Sequence, residues 1–477
     1  MKNQRMNLKI ELEKYPFLSN WTETSRETGI NVYLIGGFVR DILLERIHKK
    51  PEMDFLVMGD SEVYAKRICE RLNGSGFTVY KNFGTAHFHS VDWNFEFVSA
   101  RRESYSRESR NPLVTSGTFE DDILRRDFTI NALAVSLNTD SFGELIDLTG
   151  GLKDLENKIL RTPLDPEMTF DDDPLRIMRA FRFAAQLNFQ PHESIFPAAH
   201  KMRERLSIIS QERVTDEFLK IMESDYPSVG LILLYRTGVL NIVFPELARL
   251  GGVDQRKEYH HKDVFYHTCD VLDNLCRVSN NLWLRMATLL HDIGKPVTKR
   301  FYEGTGWTFH GHEEVGARMI EGIFKRMKMP LHKAEYVTKL VRLHQRPMAL
   351  AEESVTDSAI RRLIVDAGED LNDLISLCRA DITSKNREKV NKYLENYNTV
   401  MERVYEVQEK DRLRAFQSPV RGDVIMKDLG LKPGKSVGII KKAIEEAILD
   451  GVIPNEYDAA YAYMMEHKEE ILRKSGI

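Results

Sequence analysis

A change of hydrophobic pattern near residue 150 limits most strongly what this chain can fold into. Before it, short β-rich runs alternate with turns, from NVYLIGG at 31–37 to GELIDL at 143–148. After it, apolar residues recur at helical spacing, as in ERVTDEFLKIMES at 212–224. The pattern predicts an α+β chain, in which a head with a small mixed sheet precedes a long all-helical part.

Length and composition indicate a folded, soluble chain of about three domains. It has 477 residues, of which 42% are apolar and 29% charged, and neither a signal sequence nor a membrane span is evident. The four cysteines, Cys69, Cys269, Cys276 and Cys378, form no CxxC pair, so we expect reduced thiols and a cytoplasmic location. The net charge of −4 argues against a wholly basic nucleic-acid coat but leaves local basic faces open.

The segment YLIGGFVRD leads a strand into a pair of glycines followed by an arginine. Gly36 and Gly37 free the backbone to approach a ligand, and such a turn presents backbone N–H groups to phosphate. Arg40 adds a fork of donors that suits phosphate oxygens. The segment predicts a phosphate-binding turn.

The next strand carries two acids two residues apart. Glu52 and Asp54 project from the same face if MDFLV is a strand, because side chains alternate with period two. Two carboxylates beside a phosphate-binding turn suit metal-dependent phosphoryl transfer with Mg²⁺. The alternative is a simple glycine turn followed by the solvated end of an acidic strand.

Two arginine-rich clusters favour the phosphate interpretation. The segment EDDILRRDFTINALA places Arg125, Arg126 and Asp127 ahead of an apolar run. In DDDPLRIMRAFRFAAQLNF, at 171–189, an acid and three arginines recur every third residue, which on one helix would form a single polar stripe. A stripe that only provides solubility does not need three arginines in register with an acid.

Together these motifs resemble the class II tRNA nucleotidyltransferases, the CCA-adding enzymes, and the related bacterial poly(A) polymerases. GGFVRD, the ExD pair, RRDFTINA and DDPLRIMRAFRFAAQL occur in order and with suitable spacing. The resemblance implies a polymerase-β-like nucleotidyltransferase head, then a helical neck, body and tail. It also implies Mg²⁺-dependent addition of nucleotides from CTP and ATP to the 3′ end of tRNA, with release of pyrophosphate.

The resemblance carries roles to individual positions. Glu52 and Asp54 match the metal-binding pair, and Glu96, in NFEFVSAR, is a candidate third carboxylate. The family normally has aspartate at the first position; glutamate still offers oxygen ligands but is one methylene longer. The nucleotide-binding positions implied are Gly36, Gly37, Arg40, Arg126, Asp127, Asp173, Arg176, Arg179 and Arg182.

Base selection has its own chemistry. Cytosine and adenine share an exocyclic amino donor beside a ring-nitrogen acceptor, whereas uracil and guanine present the reverse. A carboxylate accepts from the amino group and an arginine donates to the ring nitrogen. Asp173 and Arg176 on one helix face would therefore select C and A together, without a template.

The polar, basic segment at 101–117 is predicted to be a flexible loop. It contains glycine, proline and several serines. In the family, this region moves between C and A addition, and the arginines of the segment are candidate contacts to RNA or nucleotide. The simpler alternative is a solvated loop.

The second half of the chain carries a histidine–aspartate pattern. His291 and Asp292 are adjacent at the end of an apolar helix in ATLLHDIGKP, and further candidates occur on other helices. The pattern resembles the HD-domain metal-dependent phosphohydrolases. Imidazole and carboxylate ligands suit a transition metal such as Ni²⁺ or Mn²⁺. The predicted core is His267, His291, Asp292 and Asp381; His312 and His344 extend it to a second metal, Lys295 stabilises phosphate charge, and His310 lies nearby.

Turn-rich segments at 249–255 and 417–422 are predicted boundaries. They give a head at 1–150, a neck at 151–250, an HD domain at 251–400 and a tail at 401–477. In the tail, Lys432 and Lys435 of KPGKSVG offer charge to RNA phosphates. A plain helix–turn–helix packing unit explains the same tail equally well.

Three functions of different classes follow. The first is RNA 3′-terminal nucleotidyl transfer, with CCA addition to tRNA preferred over a poly(A), CC-only or A-only product. The second is an HD phosphohydrolase with an inactive head, which only Glu52 favours. The third is a non-catalytic RNA-binding protein, which the arginine stripe argues against. The sequence does not reveal the oligomeric state.

Overall fold

The computed structural model describes residues 6–46, 52–80, 84–90, 92–106, 109–253, 263–303, 306–350, 356–384, 386–411 and 418–474. The chain divides into two compact units, Met1–Ala248 and Arg249–Ile477. The finer division into head, neck, HD domain and tail stays a prediction. The four cysteines form no disulfide, as predicted.

The strands of the first unit confirm the predicted mixed sheet. Seven strands pair in the order β3-β4-β5-β2-β1-β8-β9. Only β2 and β5 run parallel; the other neighbours are antiparallel. The seven are β1 (Val32–Ile35), β2 (Glu52–Val57), β3 (Ser75–Tyr80), β4 (Thr85–Ser90), β5 (Trp93–Ser99), β8 (Ala134–Ser136) and β9 (Leu145–Ile146); two further pairs are β6 (Arg101–Ser106) with β7 (Ser109–Ser116), and β10 (Ile159–Leu160) with β11 (Gln190–Pro191).

The predicted loop at 101–117 was wrong, because β6 and β7 form an antiparallel hairpin there. Arg101 pairs with Ser116, and the register shifts once between Ser104 and Ser106. Pairing with a partner strand supplies backbone hydrogen bonds that local composition does not reveal. Of the four arginines predicted as contacts, Arg102, Arg107 and Arg110 have side chains outside the described residues. Arg101 is described and lines a cavity together with Glu52 and Glu96, and its contact to RNA or nucleotide stays a prediction.

The strand face opposite the acids forms the core of the head. Phe55 and Phe97 alternate with Asp54 and Glu96 along β2 and β5, and their rings stack with centroids 4.9 Å apart. Trp21 packs on Phe55 at the same distance and is fully buried. Because successive side chains face opposite ways, burying these aromatic rings directs the acids to the other face of the sheet.

The helices of the first unit cover the sheet and continue beyond it. Gly230 lets the helices Leu175–Leu187 and Pro227–Arg236 approach closely, because a Cβ on Gly230 would lie 3.1 Å from the Phe181 carbonyl oxygen. The helices are α1 (Lys9–Glu13), α2 (Ser19–Thr28), α3 (Gly37–Leu43), α4 (Ser61–Arg71), α5 (Phe119–Leu124), α6 (Gly151–Glu156), α7 (Pro166–Asp172), α8 (Leu175–Leu187), α9 (Ile195–Met202), α10 (Gln211–Met222), α11 (Pro227–Arg236), α12 (Leu240–Val243) and α13 (Pro245–Ala248).

The second unit is helical apart from one hairpin, β12 (Arg300–Tyr302) with β13 (Gly306–Thr308), within its described residues. No described helix in either unit is long and apolar enough to cross a membrane. The helices of the second unit are α14 (Val264–Cys276), α15 (Leu282–Leu290), α16 (Lys295–Thr298), α17 (His312–Arg326), α18 (Ala334–Leu343), α19 (Arg346–Ala349), α20 (Asp357–Ala367), α21 (Leu371–Ala380), α22 (Arg387–Asp411), α23 (Gly422–Leu429), α24 (Lys435–Leu449) and α25 (Tyr457–Lys474).

Gly294 fixes the start of α17 against the turn that follows α15. A Cβ on Gly294 would lie 2.2 Å from the His312 carbonyl oxygen, which no side chain can tolerate without a backbone shift. The absence of a side chain therefore brings His312 next to His291 and Asp292. Nearer the C-terminus of the second unit, Val420, Ile425, Ile440, Ile444 and Met464 belong to one hydrophobic cluster.

Candidate functional site

The register between β2 and β5 brings three carboxylates together. Asp54 pairs with Glu96, and Glu52 pairs with Asn94 one position along the same face. Oxygen atoms of Glu52, Asp54 and Glu96 all lie within 4.8 Å of one another. Three oxygen donors on a partly exposed surface are suitable ligands for a hard divalent cation such as Mg²⁺. Glu52 is exposed at the first residue of its strand, where its longer side chain has room to adjust.

These carboxylates repel one another. Burial raises the pKa of Asp54 to about 7, and the charges of Glu96 and Glu52 act in the same direction. Burial likewise raises the pKa of Glu96, with Glu52 adding to the effect. A divalent cation between them would offset the repulsion.

The glycine turn lies directly against this cluster. Gly36 has φ +77°, and a Cβ there would lie 3.2 Å from Asp54 Oδ2 and 3.5 Å from an Arg126 terminal nitrogen. Arg126 is held by Asp122, whose Oδ2 accepts at 3.0 Å. Arg125 donates to the same carboxylate. Glycine is therefore required where the turn, the acid and the arginine meet.

An arginine-rich cavity of about 380 Å³ includes Arg126 in its lining. Arg179 donates to Asp127 Oδ2 from Nε at 2.8 Å. Burial alone would raise the pKa of Asp127, but Arg179 and a hydrogen bond from Asn131 lower it to about 2. The full lining is Arg125, Arg126, Asp127, Asp173, Leu175, Arg176, Arg179, Arg213, Asp216, Glu217 and Lys220.

The predicted single helical stripe was wrong in one respect, because Asp173 precedes α8. Its backbone is extended, at φ −139° and ψ +100°, since the following Pro174 disfavours the helical conformation. The Asp173 carboxylate accepts from the Leu175 N–H at 3.1 Å. Asp173 and Arg176 nevertheless both line the cavity. Arg176 is buried and donates to the Arg125 carbonyl oxygen at 2.8 Å.

Two of the predicted nucleotide-binding arginines lie elsewhere. Arg40 is buried and donates to Asp41 and to Asn131. Arg182 pairs with Glu217 at 3.1 Å and lies over the Phe183 ring, 4.3 Å from its centroid. Neither lines the cavity. Arg40 is directed to Asp41, and Arg182 packs on the Phe183 ring and reaches Glu217, an acid that itself lines the cavity.

Sequence reasoning missed the side of the cavity that α10 contributes. Arg213, Glu217 and Lys220 recur at i, i+4 and i+7, so they lie on one face of the helix. This spacing was visible in ERVTDEFLKIMES, but nothing in that segment shows which element its charged face approaches.

In the second unit, the predicted histidines and aspartates converge from the ends of five helices. The ligand atoms form two groups, one of His267, His291 and Asp381 and one of Asp292, His312 and His344. Asp292 joins them, with Oδ2 3.2 Å from His291 Nε2 and Oδ1 3.2 Å from His312 Nε2. We call these six residues the histidine–aspartate cluster. His310 is exposed and belongs to neither group.

The histidine rings are oriented as metal ligands require. The Nδ1 atoms of His291, His312 and His344 lie 2.7, 2.9 and 2.7 Å from the carbonyl oxygens of Thr288, Phe309 and Val341. His267 Nδ1 lies 3.0 Å from the Thr383 hydroxyl. A proton on Nδ1 leaves Nε2 as an acceptor that faces the cluster.

The charges within the histidine–aspartate cluster are also consistent with a metal site. Burial would lower the pKa of His291, but Asp292 and Asp381 raise it to about 10. Its buried Nε2 nevertheless makes no aligned hydrogen bond with any described residue. A proton on this nitrogen supplies positive charge that a metal would supply instead. Lys295 Nζ donates to Asp292 Oδ2 at 2.6 Å.

Lys432 and Lys435, the predicted RNA contacts, are exposed, and Lys435 is already the first residue of α24 rather than part of a loop. Their role stays a prediction.

Comparison with known proteins identifies three families along the chain. The Poly A polymerase head domain matches residues 32–161. The family described as the probable RNA and SrmB-binding site of polymerase A matches residues 188–250, and the HD domain matches residues 264–385.

Similarity to characterised relatives extends over nearly the whole chain. The A-adding tRNA nucleotidyltransferase of Deinococcus radiodurans is 31% identical over 448 residues, covering 92% of this chain and 95% of that protein. The CC-adding enzyme of Thermus thermophilus is 32% identical over 446 residues, covering 90% and 92%. A solved structure of a CCA-adding enzyme, apo form II, superposes with a TM-score of 0.65 at 20% identity, covering 97% of this chain and 99% of that one.

The chain therefore belongs to the tRNA nucleotidyltransferase family. The predicted polymerase-β-like head followed by a helical HD region is confirmed.

We expect Asp54→Asn to stabilise the metal-free protein at pH 8. Because the folded-state pKa of Asp54 is raised from 3.8 to about 7, its ionisation destabilises the fold increasingly as pH rises through that interval. The neutral amide should add on the order of 1–3 kcal/mol at pH 8, allowing for partial solvent screening, and less at pH 5.

Thermal unfolding in EDTA at the two pH values measures the effect. Asp140→Asn, an exposed aspartate in the same unit, is the matched control and should change neither midpoint. An Asp54→Asn midpoint at pH 8 equal to or below wild type contradicts the raised pKa of Asp54.

Proposed function

We propose that the chain adds CCA to the 3′ end of tRNA, using CTP and ATP without a nucleic-acid template. The observation that supports this most directly is the meeting of the carboxylate cluster and the arginine cavity at Gly36, Asp54 and Arg126. In the reaction, the RNA 3′-OH attacks the nucleotide α-phosphate, a phosphodiester forms, and the bond to pyrophosphate breaks.

In this proposal the carboxylates of the head bind the metal and the arginines bind the triphosphate. Mg²⁺ held by Glu52, Asp54 and Glu96 would favour deprotonation of the 3′-OH and neutralise charge on the α-phosphate. Arg126 and Arg179, already oriented by Asp122 and Asp127, would attract the triphosphate. Arg213 and Lys220 add positive charge on the α10 side. Because these side chains are held before substrate binds, little reorganisation is needed.

The relatives do not determine which nucleotides this chain adds, since one is named as an A-adding enzyme and another as a CC-adding enzyme. Asp173 and Arg176 both line the cavity and offer an acceptor and a donor. That pair accommodates cytosine and adenine alike. A complete CCA product is therefore preferred to a CC-only, A-only or poly(A) product.

Incubation with Mg²⁺, labelled CTP or ATP, and tRNA lacking its 3′ terminus tests the proposal. Asp54→Ala and Glu52→Ala should lower addition by roughly 10²–10³-fold or more, as expected for removal of a preorganised charge. Glu52→Asp should retain activity, because it keeps an oxygen ligand. Asp140→Ala is the control. Full activity of Glu52→Ala would show that Glu52 is not a metal ligand. A product extended by CC only, by a single A or by a long A-tail would contradict CCA addition and assign the corresponding alternative.

Base selection is tested through Asp173→Asn. The amide can donate to the carbonyl group of uracil, so we expect discrimination of CTP over UTP to fall by about 10–100-fold, the range of one paired base contact. Relative kcat/KM values for the two nucleotides measure it. The exposed Asp225→Asn serves as control. Unchanged discrimination in Asp173→Asn means that other residues read the base.

We further propose metal-dependent phosphohydrolase activity at the histidine–aspartate cluster. The supporting observation is that Nε2 of His267, His291 and His312 lies next to Asp292 or Asp381 and that Nε2 of His344 lies 3.4 Å from that of His312. The Nδ1 atoms of all four rings contact oxygen atoms on the opposite side. Ni²⁺ or Mn²⁺ would fit these ligands and would activate a water for attack on phosphorus.

The two activities should be separable because their ligands belong to different units. His291→Ala combined with Asp292→Ala should abolish phosphoesterase activity measured with Mn²⁺ or Ni²⁺ and leave nucleotide addition with Mg²⁺ within about twofold. His310→Ala, which removes an exposed histidine, is the matched control. Loss of nucleotide addition in the still-folded double variant contradicts two independent sites.

A further inference from the structure

The hairpin β12–β13 exposes large aromatic side chains that its own unit does not cover. Phe301 is 63% exposed, Tyr302 55% and Trp307 39%. Phe301 and Trp307 are directly paired across the strands, and their rings meet edge to face at 5.2 Å. Phe301 and Trp307 therefore form one exposed aromatic pair on a single face of the hairpin, whereas Tyr302 is on the other face. Contiguous exposed apolar surface of this kind commonly marks a binding site.

The surroundings of these rings are mainly basic. Lys299 Nζ lies over the Trp307 ring, 4.4 Å from its centroid, and Arg300 is exposed on the adjacent strand. One acid, Glu303, lies near the turn. Aromatic rings interleaved with lysine and arginine suit a nucleobase and its phosphate, because bases stack on rings and cations attract the phosphate. An apolar peptide would require no such charges.

Both ends of the hairpin lead into the histidine–aspartate cluster. On the entry side, Lys295 donates to Asp292 and lies 5.7 Å from the centre of the Phe309 ring. On the exit side, the Phe309 carbonyl oxygen lies 2.9 Å from His312 Nδ1. The hairpin is thus inserted in the chain between two residues of the cluster, and Lys295 and Phe309, which flank it, contact those residues directly.

We propose that this hairpin is a base-stacking platform for the substrate of the histidine–aspartate cluster, which makes that substrate a nucleoside phosphoester. The base stacks on Phe301 or Trp307, and Lys299, released from the Trp307 ring, contacts the phosphate. This inference rests on the proposed phosphohydrolase site for the position of the phosphate. The same chemistry is found in a free nucleotide and in the terminal nucleotide of an RNA strand.

The test compares a ligand that has a base with one that lacks it. Uridine 2′,3′-cyclic phosphate and glycerol 1,2-cyclic phosphate share the reactive group, and uracil is the base that the head is proposed to reject. Binding is measured by calorimetry on the full chain in EDTA, without turnover, and KM and kcat are measured with Mn²⁺. The variants are Phe301→Ala, Trp307→Ala and the conservative Trp307→Phe, with Tyr405→Ala as an exposed aromatic control.

Loss of one stacked ring should weaken uridine binding and raise its KM about tenfold, within the range of single stacking contacts. The values of kcat should stay within about twofold, those for the glycerol ester should not change, and Trp307→Phe should restore most of the affinity. A tetranucleotide that ends in the same cyclic phosphate distinguishes the two sources: tighter binding assigns an RNA end, and equal binding a free nucleotide.

Three results overturn the platform: no uridine binding to the wild type, unchanged binding in the folded alanine variants, or equal losses for both ligands. The second result would leave these rings as a protein-docking surface. If the wild type hydrolyses neither ester, the phosphohydrolase proposal fails, but the calorimetric comparison still decides whether the hairpin binds a base.

Discussion

The in-register parallel pairing of β2 with β5 is the constraint on which the head depends. It sets Asp54 opposite Glu96 on one face and Phe55 beside Phe97 on the other. A slip of one residue would turn both sets over, placing acids in the core and aromatic rings in solvent. Burial of the aromatic rings therefore holds the carboxylates close together in spite of their mutual repulsion, which adds to burial in raising the pKa of Asp54.

Several arginines of the head lie close together, and internal acids offset the repulsion between their positive charges. Arg40, Arg179 and Arg182 all approach the Phe183 ring, and each also pairs with a carboxylate. Arg182 and Arg40 are buried by this arrangement, whereas Arg179 lines the cavity. An acid neutralises each of these charges but does not by itself decide which guanidinium lines the cavity, since all three arginines have such a partner.

In the second unit, backbone carbonyl oxygens rather than charged side chains orient the histidine rings of the cluster. Carbonyl oxygens behind His291, His312 and His344 direct their other nitrogens inwards, towards Asp292 and one another. The close contact of Gly294 with the start of α17 makes this convergence sterically feasible. Phe309, whose carbonyl oxygen orients His312, directly follows β13 of the exposed hairpin. The orientation of His312 and the position of the aromatic rings therefore depend on the same short segment of chain.

Much of this protein follows from its sequence by itself. Period-two and helical patterns predicted the α+β head and the helical remainder, because such patterns depend on neighbours in the chain. Both residue clusters were predicted through the resemblance of short acid, arginine and histidine motifs to known families. Other features depend on long-range contacts. Pairing turned 101–117 from an expected loop into a hairpin, and Pro174 removed Asp173 from its helix. Contacts with Asp41 and with the Phe183 ring hold Arg40 and Arg182 outside the cavity lining. The face of α10 and the partner of each arginine could be decided only by tertiary structure, since a side chain of fixed spacing binds whichever group the folded chain brings within its reach.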